Sequence, residues 1–171
     1  MTTRAVIVMG VSGSGKSTLG AALAARLGWA FADADDSHPP ANTAKMARGE
    51  ALTDDDRAPW LAALHALIAR HVQAGPPLVL ACSALKERYR RALIDDLHDV
   101  RIVFARGSHD LIAARMRARQ HFMPVSLLDS QFASLEEPIG ALVADIARPL
   151  EDLVKELADQ LVNDPPSPAA P

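Results

Sequence analysis

The chain has 171 residues, of which 49% are hydrophobic and 23% are charged, and its net charge is −3. This length fits one domain with a single sizeable core. The slightly negative charge argues against nucleic-acid binding, because nucleic-acid binders carry a basic surplus or stripe. Cys82 is the only cysteine, which excludes an intrachain disulfide, and no apolar run approaches the roughly 18 residues of a membrane span. We therefore expect a cytoplasmic protein without a membrane or nucleic-acid partner.

Short apolar runs alternate with longer segments of helical periodicity, which predicts an α/β fold with a mostly parallel sheet. The predicted strands are 5–9, 29–32, 78–81, 100–105 and 141–146. The predicted helices are 16–27, 41–48, 54–74 (capped by Thr53 or Asp54), 86–95, 109–119, 126–133 and 150–161. We expect one domain over 1–163 and a disordered, proline-rich tail over 164–171.

The segment after the first predicted strand matches a phosphate-binding pattern. Residues 10–17 fit G-x-x-x-x-G-K-S/T at every fixed position, between a strand and a helix. Glycines let backbone N–H groups approach phosphate oxygens, and the helix N-terminus adds positive potential. The predicted ATP-binding residues here are Gly10, Ser12, Gly13, Ser14, Gly15, Lys16, Ser17 and Thr18. Lys16 would reach the β- and γ-phosphates, and the Ser17 hydroxyl would ligate Mg²⁺.

Two carboxylates, Asp33 and Asp35, follow the second predicted strand at the sheet edge where open α/β proteins bind ligands. Residues two apart on an extended segment point the same way, so both could face the phosphate cradle. One would hold a water on Mg²⁺, and the other would orient an attacking hydroxyl and take its proton. The alternative is a solvated acidic turn, and Asp36 is interpreted as a cap or surface residue.

Small residues follow the third predicted strand, in the segment Cys82-Ser83-Ala84-Leu85-Lys86. They would let a substrate lie against the backbone. A plain helix start capped by Ser83, with Lys86 on the surface, is the alternative. Cys82 is interpreted as a packing residue, because no local histidine supports a nucleophile.

An arginine-rich segment precedes Phe122-Met123-Pro124 and is typical of a lid that closes over ATP. Arg115 and Arg119 share one helix face, whereas Arg117 points elsewhere. A solvated basic helix is the alternative. The predicted lid covers about 119–132.

Further short motifs are spread over residues 8–153. They are the residues of the cradle together with Asp33-Ala34-Asp35, His38-Pro39, Asn42, Lys45-Met46, Gly49-Glu50, Leu52, Asp54-Asp55-Asp56-Arg57, Pro59-Trp60-Leu61, Cys82-Ser83-Ala84-Leu85-Lys86, Tyr89-Arg90, His121-Phe122, Ser130-Gln131-Phe132 and Leu135-Glu136-Glu137-Pro138. In these motifs the chain resembles a bacterial gluconokinase. The cradle is shared with many kinases, but the runs 54–61 and 82–86 are particular to this family.

The resemblance implies ATP:D-gluconate 6-phosphotransferase activity with Mg²⁺, and commonly a homodimer. It also implies a P-loop NTPase fold, with helices flanking a parallel sheet and a mobile lid as in shikimate and nucleoside monophosphate kinases. By this analogy Asp33 lies near Mg²⁺ and Asp35 binds the acceptor hydroxyl, while Arg115 lies near the adenine and Arg119 in the lid. Lys16, Asp35 and Arg119 are the implied catalytic residues. The implied substrate-binding residues are Asp35, His38, Arg57, Ser83, Lys86, Arg90 and His121.

The chain departs from the family pattern at one point, because only Gln120 separates Arg119 from His121 where the family has two residues. Two alternatives to a gluconate kinase stay open. One is a kinase for another small acceptor, such as shikimate or a nucleoside monophosphate. The other is a nucleotide-dependent switch that hydrolyses ATP slowly and needs no acceptor pocket.

Overall fold

The structure, a computed structural model, describes residues 2–119 and 125–163. Its strands are β1 (Ala5–Met9), β2 (Ala30–Asp33), β3 (Leu78–Ala81), β4 (Val100–Arg106) and β5 (Leu142–Asp145). Its helices are α1 (Lys16–Leu27), α2 (Pro40–Ala47), α3 (Asp54–Gln73), α4 (Glu87–Ile94), α5 (His109–Ala118), α6 (Val125–Ser134) and α7 (Leu150–Asn163). The predicted tail, His121 and part of the predicted lid lie outside the described residues.

The five strands form one parallel sheet in the order β2-β3-β1-β4-β5. The central strand β1 pairs with β3 and β4, so that Val6 lies between Val79 and Arg101. Since all strands run the same way, their carboxyl ends meet at one edge, which is where open α/β sheets bind ligands. The predicted α/β fold with a parallel sheet is confirmed.

Side chains of β1 alternate between two apolar cores, one on each face of the sheet. Val6 and Val8 pack on the face covered by helices α1, α5 and α7. Ile7 and Met9 pack on the opposite face, mainly against α3. All five residues of β1 are buried, as a continuous apolar strand between two helical layers requires. Because β1 is held between two helical layers, the loop that follows it begins at a fixed place on the carboxyl edge of the sheet.

Helix ends follow the local sequence. Gly28 ends α1 with a φ of 68°, in the left-handed region that glycine adopts without strain. Thr53 begins α3 with a capping box, because its hydroxyl accepts from the amide of Asp56 while its own amide donates to the Asp56 carboxylate. Among the described helices, none combines the length and hydrophobicity that crossing a bilayer demands.

The chain after β2 differs from the extended segment that the sequence predicts. Ala34–Ser37 form a short 3₁₀ helix instead. The cause is local, since the Asp33 carboxylate accepts from the amide of Asp35 at 3.0 Å and tightens the chain. The Trp60 indole holds the same turn by donating to the carbonyl of Ala34 at 2.8 Å. The premise that Asp33 and Asp35 point the same way because the segment is extended is therefore wrong.

Candidate active site

The phosphate cradle lies between the carboxyl end of β1 and the first turn of α1. Gly13 and Gly15 have φ angles of 79° and 82°, which L side chains rarely adopt. At Gly13 a Cβ would also come within 2.7 Å of the Met116 side chain. Glycine is therefore required at Gly13 by both space and backbone angle, and at Gly15, a fixed position of the pattern, by the backbone angle. Lys16 is the first residue of the helix and is partly exposed, with its ammonium available to an anion.

An oxygen-rich pair adjoins this cradle. The Ser17 hydroxyl donates to the Asp33 carboxylate at 2.6 Å, which links the first turn of α1 to the end of β2. A hydroxyl and a carboxylate are ligands that Mg²⁺ prefers, and Mg²⁺ usually takes only one or two protein ligands while water and phosphate supply the others. The described residues contain no group of three or more His, Cys, Asp or Glu side chains that could hold a metal. The Ser17 and Asp33 pair fits a phosphate-bound Mg²⁺ and not a metal caged by protein alone.

Two adjoining cavities flank the cradle on the side of α5. One has a volume of about 330 Å³ and is lined by Ser14, Thr18 and Arg115 together with the start of α7. The other, of about 180 Å³, is lined by Lys16 and Arg119 among others. The Arg115 guanidinium donates to the carbonyl of Ile146 at 2.6 Å, which fixes its position at the first cavity. The structure thus brings both predicted arginines to the cradle, whereas the exposed Arg117 lines neither cavity.

A separate cavity of about 320 Å³ opens beside β3, between the start of α3 and helices α4 and α6. Arg57, Ser83 and Lys86, which the sequence singles out, line it. The charged side chains in its lining are three cations and one carboxylate, so the lining has a surplus of two positive charges. This surplus suits the cavity to a small polar anion, and we call it the acceptor cavity.

Asp35 and His38 lie on the turn that follows β2. Asp35 is exposed, and the His38 ring stacks on Trp60 with ring centroids 4.3 Å apart and planes 10° apart. Burial lowers the pKa of His38, the nearby Asp35 carboxylate opposes that change, and Arg57 adds to it. The His38 Nδ1 is buried and has no hydrogen-bond partner among the described residues. The ring is therefore held by stacking.

Arg90 lies behind the loop that lines the acceptor cavity. Its side chain is 2% exposed and does not line the cavity. Its guanidinium donates to the carbonyls of Ala84 and Leu85 at 2.8 and 3.1 Å and to Glu87 at 2.9 Å. Ala84 has a φ of 43°, an unusual value for a residue with a Cβ. The structure brings Arg57, Ser83 and Lys86 together in this cavity. Arg90 does not line it, and neither do Asp35 and His38 on the turn after β2.

Cys82 directly follows β3 and lines the acceptor cavity. Its thiol is 2% exposed, and burial raises its pKa to about 12. A thiol with such a pKa stays protonated near neutral pH and is a poor nucleophile. The Cys82 amide donates to the carbonyl of Val8 at 3.0 Å, and the preceding Ala81 pairs with Asp33 in the sheet, so this part of the cavity lies beside the phosphate cradle. The interpretation of Cys82 as a packing residue fits this burial.

Four side chains that line the cavity from helices α3 and α4 form a cluster that sequence reasoning did not assemble, namely Asp54, Arg57, Arg88 and Tyr89. The Asp54 carboxylate accepts from the Tyr89 hydroxyl at 2.8 Å and from Arg88 at 2.7 Å, and Arg57 lies 3.4 Å away. Both guanidiniums also lie over the Tyr89 ring. The Tyr89 hydrogen bond is the main cause that lowers the pKa of Asp54, followed by that from Arg88.

Helix α6 closes the cavity on the side of the cradle. Gln131 lines the cavity, and its carbonyl oxygen accepts from the backbone amide of Ser12 at 3.2 Å. Asp129 pairs with His109 on α5 at 2.6 Å, and the Glu136 carboxylate accepts from the amide of Glu87 at 2.9 Å. These contacts join the last part of the predicted lid, and Glu136 after it, to the cradle and to helices α5 and α4.

Residues 6–138 match the protein family described as AAA domain, and the chain belongs to that family. A gluconokinase from Gluconobacter oxydans is 51% identical over 136 residues, which cover 79% of this chain and 76% of that protein. The thermoresistant gluconokinase of Escherichia coli is 41% identical over 153 residues, which cover 86% and 87% of the two chains. The chain is a member of the gluconokinase family.

A solved gluconokinase structure extends this family relationship to the fold. The crystal structure of a gluconokinase from Sinorhizobium meliloti is 43% identical and matches with a TM-score of 0.82, covering 94% of this chain and 93% of that one. The resemblance that the sequence motifs predict is confirmed, and so is the P-loop kinase fold. The contact between Arg88 and Asp54 is not predicted from the sequence. Both residues are charged and lie near helix starts, which is a signal that could be sought in other gluconokinases, but a single sequence does not show that residues 34 positions apart are in contact.

Proposed function

We propose that the protein transfers the γ-phosphoryl group of ATP to the 6-hydroxyl of D-gluconate. The observation that carries the proposal is the cationic acceptor cavity, which opens at the same sheet edge as the phosphate cradle. Gluconate is a small anion with several hydroxyls, and the cavity offers both cations and hydrogen-bonding groups. The gluconokinases to which the chain is similar support this choice of acceptor.

On the nucleotide side, the cradle amides and Lys16 bind the phosphates, and Arg115 lies beside the base. Ser17 and Asp33 hold Mg²⁺, which when bound supplies positive charge to the phosphates. Arg119 stabilises charge on the transferring group, as a lid arginine can. Support comes from the 2.6 Å contact between Ser17 and Asp33 and from the cavities that Arg115 and Arg119 line.

On the acceptor side, Asp35 accepts a hydrogen bond from the 6-hydroxyl and takes its proton as the bond to phosphorus forms. His38, Arg57, Ser83 and Lys86 bind the polyol. His121 remains a proposed contact from the family resemblance. In phosphoryl transfer the protein mainly positions the reactants and stabilises charge, so an aimed carboxylate matters more than a strong base. Arg90 supports the 82–86 loop from behind, as its hydrogen bonds to Ala84 and Leu85 suggest.

The role of Asp35 predicts a selective loss in the Asp35→Asn variant. We expect kcat to fall at least about a hundredfold while the KM for ATP stays close to that of the wild type. Asp36→Asn is the matched control, because Asp36 is exposed on the same turn. A coupled assay of ADP release measures both variants, and near-normal turnover of Asp35→Asn would remove Asp35 from this role.

The same assay separates the alternative functions. The wild type should release ADP with gluconate and not with shikimate or nucleoside monophosphates. Silence with gluconate and turnover with one of the others would favour a different acceptor. Equal ADP release with and without any acceptor would favour a nucleotide-dependent switch.

Two further properties are proposed from the family resemblance and the composition. The protein forms a homodimer, for which light scattering should give about twice the chain mass of 18.3 kDa. A mass equal to one chain would contradict this. The protein acts in the cytoplasm, where its buried single cysteine is compatible with a reducing environment.

A further inference from the structure

The cluster of Asp54, Arg57, Arg88 and Tyr89 has the donors of a carboxylate-binding site. Three donors converge on a single carboxylate, that of Asp54, from the Tyr89 hydroxyl at 2.8 Å and the guanidiniums of Arg88 at 2.7 Å and Arg57 at 3.4 Å. Guanidinium groups bind carboxylates through charge-assisted hydrogen bonds with defined geometry. Two cations share one anion here, so the cluster keeps one positive charge that Asp54 does not neutralise.

The cluster is accessible to a ligand. The side chains of Arg88 and Asp54 are each 56% exposed, and both line the acceptor cavity. Arg88 lies 5.1 Å and Arg57 lies 5.5 Å from the centroid of the Tyr89 ring. Stacking against one ring limits the positions of both guanidiniums, which lowers the entropy lost when they bind an anion. Both guanidiniums are therefore held in place before any ligand binds.

The cradle and the cluster are placed to receive opposite ends of the acceptor. Cys82 and Gln131 line the cavity on the side of the cradle. The Cys82 amide donates to the carbonyl of Val8 at 3.0 Å, and the Gln131 side chain accepts from the amide of Ser12 at 3.2 Å, so the reacting hydroxyl belongs on that side. Arg88 and Asp54 line the part formed by helices α3 and α4. In gluconate the carboxylate and the 6-hydroxyl are at opposite ends of the carbon chain. A gluconate with its 6-hydroxyl toward the cradle would therefore direct its carboxylate toward this cluster.

The other candidate cations are less suited to the task. Arg90 is buried, and its guanidinium is used by two carbonyls and Glu87. Lys86 has a point charge without the planar fork that matches a carboxylate. Arg57 is only 30% exposed, against 56% for Arg88.

We propose that Arg88, assisted by Arg57 and Tyr89, binds the carboxylate of the acceptor and makes the enzyme selective for an anionic polyol. Asp54 holds the two arginines in place and occupies the position of the acceptor's carboxylate until the acceptor binds. This inference rests on the proposed function, because it deepens the assignment of the acceptor cavity. It assigns a role to Arg88 that the sequence motifs do not reveal.

The test compares Arg88→Gln with Arg91→Gln. Arg91 is on the same helix, is 81% exposed, and does not line the acceptor cavity, so its variant makes the same change of charge away from the site. The ligands are D-gluconate as substrate and D-glucitol, its neutral analogue, as a competitor. Glucitol keeps the hydroxyl chain but has an alcohol in place of the carboxylate.

Arg88→Gln should raise the KM for gluconate about 10- to 100-fold, which is the range expected for a lost charge-assisted hydrogen bond. The inhibition constant of glucitol and the KM for ATP should change less than about twofold, because neither ligand uses Arg88. Arg91→Gln should behave as the wild type. An unchanged KM for gluconate would overturn the proposal, and so would an equal weakening of gluconate and glucitol. A wild type that does not phosphorylate gluconate would instead refute the proposed function.

Discussion

The Arg90 guanidinium donates to the carbonyls of Ala84 and Leu85, in the loop between β3 and α4 that lines the acceptor cavity. A cation that is 2% exposed is costly to bury unless every donor has a partner. Its bonds hold a loop in which Ala84 has a φ of 43°, a conformation that a residue with a Cβ adopts only when its surroundings enforce it. Arg90 thus shapes the cavity without entering it.

Replacing Arg90 by Met should destabilise the protein by about 3 kcal/mol, because two buried carbonyls lose their donor while the apolar volume is kept. Urea unfolding followed by circular dichroism measures the change. Arg91→Met is the control, since an exposed side chain on the same helix should change stability by less than about 0.5 kcal/mol. If Arg90→Met were as stable as the wild type, the loop would have another support.

Residues that act through local spacing could be predicted from the sequence, and those that act through tertiary contacts could not. Gly10, Gly15 and Lys16 follow from one pattern because neighbouring backbone conformations create the cradle. Arg88 meets Asp54 only because helices α3 and α4 pack together, and no local pattern encodes that pairing. Nor does the sequence show that Arg90 is buried while Arg88 is exposed, although both lie on the same short helix.

Helix α3 begins at a charged capping box that joins it to helix α2. The Asp56 carboxylate accepts from the Thr53 amide at 2.8 Å and from the Lys45 ammonium at 2.6 Å. The Lys45 hydrogen bond is the main cause that lowers the pKa of Asp56 to about 2, with a further contribution from the Thr53 amide. The anionic form is favoured in the folded state, so this group stabilises the fold above the ordinary carboxyl pKa.

The low pKa of Asp56 predicts a pH-dependent stability difference between the wild type and Asp56→Asn. The stabilisation should be fully present at pH 6 and should decline as pH falls from about 4 toward 2, where the folded carboxylate is protonated. Urea midpoints at pH 6 and pH 2.5 measure this. Asp55→Asn is the control in the same turn, because Asp55 accepts no side-chain hydrogen bond from the described residues. A difference that is equal at both pH values would contradict the prediction.

At the scale of elements, apolar runs and capping residues predict every strand and α-helix of the described residues within one or two residues of its bounds. Burial on both sheet faces makes the strands continuous apolar runs, and Gly28 and Thr53 mark helix ends by local chemistry. Sequence patterns do not predict the 3₁₀ helix after β2, because a single hydrogen bond, from the Asp35 amide to the Asp33 carboxylate, replaces the extended conformation. A single side chain of this kind does not alter a hydrophobic pattern.

At the scale of the whole molecule, the parallel sheet gathers distant parts of the chain at one edge. Residues 10–18, 33–38 and 82–86 each follow a strand, and Gln131 reaches back from α6 to the amide of Ser12. The strand order β2-β3-β1-β4-β5 puts β3 next to both β1 and β2, so the acceptor cavity beside β3 adjoins the phosphate cradle and the Asp33 turn. Alternating apolar segments predict a parallel sheet but not this order, because the order depends on how the helices pack.

Phosphorus NMR of wild-type protein with Mg²⁺, ATP and gluconate tests the central claim most directly. We expect ADP and one new phosphomonoester whose signal is a triplet without proton decoupling, because the phosphorus of a 6-phosphate couples to the two protons of a primary carbon. No phosphomonoester from demonstrably folded protein would contradict the account. A doublet would also contradict it, since that pattern places the phosphate on a secondary hydroxyl.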